Sequence, residues 1–182
     1  MKIIISVLLV CVFSACAFGQ AKEMMGRKGH LQVEVTENGA TSELLPIPLA
    51  VTPHLPSAEI GIKYFGVQSD SDISVLLILK GTKNLYSSKE NFGVRLYSDD
   101  VPLSQTKYRK INSVDKDADT ETLHFYLKSE DLAWLAASKS LRIESYLVDS
   151  EKKHHTFTFD EAALAEFKSF AKSVFLIRSH LN

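Results

Sequence analysis

The sequence predicts an α+β domain, mainly antiparallel β and sandwich-like, with a short helix near 129–138 and a C-terminal amphipathic helix near 160–178. Three observations point there. Roughly seven to nine segments alternate apolar and polar residues with the period of two that a half-buried strand requires. Most are separated by short turns, which favour antiparallel neighbours. The two stretches with helical spacing both come late in the chain, after a long run of strands.

The chain opens with one lysine, an apolar run from Ile3 to Phe13 and a small-residue exit at Ala17-Phe18-Gly19, the layout of a secretory signal peptide over 1–19. That run is shorter than the ~20 residues of a spanning helix and no later stretch is longer, so the expectation is a secreted or periplasmic protein without a transmembrane segment. Phe13-Ser14-Ala15-Cys16 resembles a lipoprotein box with Phe where Leu is usual, and processing there would instead anchor the chain through Cys16. Both cysteines, Cys11 and Cys16, lie in the leader, so a chain cut after Gly19 forms no disulfide and depends on its core. The remaining ~160 residues suffice for one globular domain over 31–182, and a hydrophobic content of 45% argues against disorder. Losing Lys2 takes the formal charge from −1 to −2, a balance that speaks against a nucleic-acid partner.

Residues 20–30 carry Lys22, Arg27 and Lys28 without a period and read as a flexible arm. Leu31, Val33 and Val35 alternate into Asn38-Gly39, a strand ending in a tight turn. The run Leu44 to Val51 contains Pro46 and Pro48, which lack ladder donors, so it is expected as an edge strand or extended loop. Ile60, Ile62 and Tyr64 alternate, and Ile73 to Leu79 is apolar at almost every position, the mark of a central strand covered on both faces. Leu85 to Asn91 reads as loop, Phe92, Val94 and Leu96 as a strand running into a turn at Ser98-Asp99-Asp100, and Lys107 to Ile111 as a weaker strand.

The most periodic stretch follows. Leu123, Phe125 and Leu127 alternate with Thr122, His124 and Tyr126, and Ser129 is placed to cap a short helix through Leu132, Leu135 and Ala136. The segment from Lys128 to Lys139 is also long enough for a parallel crossover. Leu141, Ile143 and Leu147 alternate with Arg142, Glu144 and Tyr146, and a polar turn leads to Thr156 through Phe159 in a hairpin. Asp160 is placed as the N-cap of the last helix, whose Leu164, Phe167, Phe170, Ala171 and Val174 form one apolar stripe.

No motif specifies a reaction. There is no Gly-X-Ser-X-Gly elbow, phosphate loop or dinucleotide fingerprint, and no cofactor is implied. Asp115, Asp117 and Asp119 echo the first ligands of a calcium loop, but Thr120 stands where the sixth position needs Gly and Tyr126 where the twelfth needs Glu, leaving at most a weak Ca2+ site beside the reading as an acidic hairpin loop. The six histidines show no zinc spacing; His154 and His155 are adjacent and would point to opposite faces of a strand, with His155 on the Phe157 face. What remains is a polar surface. If the late strands are neighbours, Thr122, His124, Tyr126, Arg142, Glu144, Tyr146, His154 and Thr156 share one face, and its Tyr, His and Arg side chains suit a protein or glycan partner. The resulting expectation is a noncatalytic binding or accessory module of the cell envelope. Its alternatives are an extracytoplasmic hydrolase-like enzyme with a site assembled from distant residues, and a weak calcium-binding adhesion module.

Overall fold

A computed structural model describes residues 26–36, 39–52, 55, 57–66, 73–81, 92–103, 107–109, 119–147 and 152–181. The leader, Asp115, Asp117 and the Leu85–Asn91 segment lie outside these residues. The described chain is mostly antiparallel β in two sheets, with one short helix and one C-terminal helix, as the alternation predicts.

The larger sheet has seven strands, and its first members are β1 (Gly26–Lys28), β2 (Leu31–Thr36), β3 (Gly39–Pro48), β5 (Ser57–Gly66) and β6 (Ile73–Lys80). It continues through β10 (Thr120–Leu127) to β9 (Lys107–Arg109). The smaller sheet runs β4 (Ala50–Thr52), β12 (Lys152–Thr158), β11 (Leu141–Leu147), β7 (Phe92–Ser98), β8 (Val101–Pro102). Helix α1 (Asp131–Ala137) joins β10 to β11, and α2 (Glu161–Leu181) follows β12. Both sheets end on strands of two or three residues, which limits the backbone available for pairing with another chain.

Local chemistry explains the connections. Gly39 sits at φ +146° in the β2–β3 turn, and an added Cβ would come within 2.5 Å of the Gly66 carbonyl oxygen, so only glycine fits. Asp99 and Asp100 both adopt positive φ in the β7–β8 turn, which Asp tolerates better than most residues. The Asp160 carboxylate accepts a hydrogen bond from the Ala163 amide at 2.8 Å, capping α2 as predicted. Ser129 does not cap α1. Glu130 holds the cap position in helical conformation without a side-chain bond, and it is the Ser129 carbonyl that accepts from the Leu132 amide.

One hydrophobic cluster joins both sheets and both helices. From the larger sheet come Leu44, Ile60, Leu77, Leu123 and Phe125, from the smaller Ile143 and Phe157, and from α2 Phe167, Phe170, Ala171 and Val174, all buried. Helix α2 packs against β2, β3, β5 and α1, and its buried Ser173 hydroxyl meets that of Ser42 on β3. Burying a phenylalanine contributes ~1.5–3 kcal/mol, so two of them on α2 make that helix integral to the domain.

Several expectations are corrected here. Gly26–Lys28, read as part of a flexible arm, pair with β2. The proline-containing run, by contrast, keeps its edge character: β2 pairs with β3 only as far as Leu44, so Pro46 and Pro48 fall where β3 is paired with β5 alone, a register shift between Leu44 and Ile47 takes Pro46 out of that ladder, and Ala50–Thr52 form an edge strand of the smaller sheet. Strand β6 is central, but one face is partly open: Leu76 is 39% exposed. The connection through α1 is not a parallel crossover, because β10 and β11 belong to different sheets.

Candidate functional site

The separation of β10 from β11 divides the predicted polar surface in two. His124 and Tyr126 lie on the outward face of the larger sheet, with Arg142, Glu144 and Tyr146 on that of the smaller. No single surface contains all of them.

On the larger sheet, the Ser74 hydroxyl lies 2.6 Å from His124 Nε2, and the His124 ring lies 4.6 Å from that of Tyr126. His124 is buried despite its outward register. Asp119, the one calcium-loop candidate among the described residues, is an exposed turn residue at φ +47° whose carbonyl accepts the Gly81 amide at 3.0 Å. Among the described residues no three His, Cys, Asp or Glu side chains are grouped to hold a metal ion.

The smaller sheet carries a denser constellation. Antiparallel register sets Arg142 opposite Tyr97 and Glu144 opposite Arg95, while Tyr146 faces Gly93 on β7. The Arg142 guanidinium stacks over the Tyr97 ring at 4.0 Å, and that of Arg95 over the Tyr146 ring at 4.8 Å. Tyr146 occupies the space that a side chain at Gly93 would need, for an added Cβ there would lie 2.3 Å from the ring. Glu144 sits between the stacks. Its Oε1 accepts from Arg142 Nε at 3.2 Å and from Lys153 Nζ at 3.1 Å, while Arg142 also pairs with Asp100 in the β7–β8 turn.

Burial alone would raise the Glu144 carboxyl, but hydrogen bonds from Lys153, Tyr97 and Arg142 outweigh it and hold the group below the usual glutamate range. Arg142, in turn, would be lowered by burial but is raised by its bonds to Glu144 and Asp100. The turn is tied down as well. Asp99 accepts from the Ser140 amide at 2.8 Å and the Lys139 amide at 2.9 Å, and these bonds hold its carboxyl low.

On β12 the register passes from Lys153 to His155 and skips His154, a bulge that puts Lys153 beside Tyr146 and Glu144. His155 is buried on the Phe157 side, and its amide donates to the Ser145 hydroxyl at 3.1 Å. The residues that sequence reasoning missed are Arg95, Tyr97, Asp100 and Lys153. Alternation in Phe92–Leu96 marks β7, but its pairing with β11 is a non-local choice that alternation does not encode.

The chain matches no protein-family model, no curated protein and no solved structure. No helix of the described residues is long and apolar enough to cross a membrane.

Proposed function

We propose that the protein is an exported, noncatalytic binding module of the cell envelope or secretome, and that it engages a protein or glycan partner through the outward face of the smaller sheet. The observation that supports this reading is the pair of guanidinium–tyrosine stacks that flank Glu144, which bonds the Arg142 of one of them. Arginine and tyrosine are the residues that most often anchor interfaces, and a side chain already held by neighbours loses less entropy on binding. Here Arg142 is fixed on three sides and the Tyr146 ring occupies the space above Gly93, so both are positioned before any partner arrives. Lys153 and Asp100 stand at the rim of the same face with 54% and 85% of their side chains exposed, offering charges of both signs. Export rests on the leader-like composition of residues 1–19.

The test is retention of ligands from the native envelope or secreted fraction, together with a glycan array, comparing the native protein with an Arg142→Ala, Glu144→Ala, Tyr146→Ala variant. A ligand held by the native protein and lost by a variant of unchanged circular dichroism supports the reading. A ligand retained equally by both removes this face from consideration.

A further inference from the structure

The outward face of the larger sheet is built differently, and we infer that it is a self-association surface whose partner is a second copy of this chain. Its middle row exposes one large apolar side chain, Leu76, between two buried residues. Gly61 on β5 is in register with Leu76 on β6, and Leu76 with His124 on β10, while Pro46 of β3 lies beside Gly61. Leu76 is 39% exposed and Phe65, further along β5, is 53% exposed, so large apolar side chains meet solvent on a face that α2 does not cover.

The charges around that row identify the occupant. Lys63 and Glu59 lie on the same strand, each two residues from Gly61 and on opposite sides of it. A two-fold axis lying in the contact plane along the Gly61–Leu76–His124 row would exchange the two sides. It would set Lys63 of each copy against Glu59 of the other and Leu76 against Leu76. Each Lys63 already bonds Glu43 at 3.0 Å across the sheet, so in the pair it would lie between two carboxylates. Opposite charges placed symmetrically about that axis make the face complementary to itself, which is what an isologous contact requires.

Size sets the strength. Four strands ~4.8 Å apart, each contributing about seven residues at ~3.4 Å, give roughly 450 Å2 per copy and about 900 Å2 for the pair. That is the small, transient end of specific interfaces, so weak association is expected.

Sedimentation velocity of the purified protein from ~10 μM to ~1 mM tests this, with circular dichroism as the check on folding. The wild type is expected to pass from monomer to dimer. Leu76→Glu, Lys63→Glu and Glu59→Lys should each weaken association at least about tenfold. The decisive sample is a mixture of the two charge variants. One carries only negative and the other only positive charge at these two positions, so the mixture should associate although neither variant does alone. A wild type monomeric at the highest concentration overturns the inference. So does a dimer that all three substitutions leave intact, or a mixture that stays monomeric.

Discussion

The two outward faces of this molecule share one architecture and are finished in opposite ways. On the smaller sheet the central charged groups are answered by neighbours: Arg142 by Tyr97, Glu144 and Asp100, and Glu144 by Lys153. The larger sheet instead leaves Leu76 and Phe65 partly in water and pairs its charges at exposed positions such as Lys63–Glu43. The first face is rigid through its own contacts, while the second gains most from contacts that a single copy does not supply. A bare inventory of surface residues would not separate them, because both carry Tyr, Lys and Glu. What differs is which side chains already have partners.

If the faces differ only on the outside, the interior beneath each should respond alike to truncation. Phe125→Ala under the larger sheet and Phe157→Ala under the smaller are each expected to cost ~3–5 kcal/mol in urea denaturation; both side chains are fully buried. A difference of more than about 2 kcal/mol between them would mean that the asymmetry extends into the core.

Glycines probe the faces next. Gly93→Ala should cost ~1–3 kcal/mol because the new methyl displaces the Tyr146 ring. Gly61→Ala should stay within ~1 kcal/mol, since its nearest neighbours lie at 3.6 Å. Equal effects would show that Tyr146 does not rest on Gly93.

The ionic network gives a pH signature. Glu144 has a folded pKa below its unfolded one, so its stabilisation is complete above the unfolded value and is lost as pH falls through the folded value. Glu144→Gln is therefore expected to cost ~1–2 kcal/mol at neutral pH and progressively less on acidification, with the wild type and variant converging once the pH has fallen through the folded value. A gap between them that does not change with pH would remove the carboxylate from the network. The smallest effect belongs to the other face: Lys63→Ala, removing an exposed pair, should change monomer stability by less than ~1 kcal/mol.

Much of this fold is legible in the residues themselves. Alternation places Leu123, Phe125 and Leu127 on one buried face, and the Asp160 cap with the Phe167–Phe170–Val174 stripe marks α2 and the side it buries. These are local signals with a fixed period. The prolines are a local signal too: β2 reaches only to Leu44, and Pro46 and Pro48 stand beyond it, where β3 has a ladder on one side alone. The apolar run Ile73–Leu79 misleads because a strand buried on both faces and one with an exposed Leu76 have the same composition.

The candidate surface is half legible for a related reason. Arg142, Glu144 and Tyr146 share a face by alternation alone, whereas joining His124 and Tyr126 to them requires knowing that β10 and β11 are neighbours, and α1 carries the chain to the other sheet between them. The stacking of Arg95 and Arg142 on tyrosines likewise depends on the register of β7 against β11.

Only Leu49 separates β3, inside the larger sheet, from β4, at the edge of the smaller, so one nearly continuous extended segment is stitched into both. Strand β4 finds its partner in β12, close to the end of the chain. A chain emerging from its N-terminus therefore holds an unpaired Val51 until Phe157 has been made, and the smaller sheet cannot close early. Non-local pairing of this kind slows folding and ties the two sheets into one cooperative unit. A nascent form of this protein would remain threadable until β12 had left the ribosome.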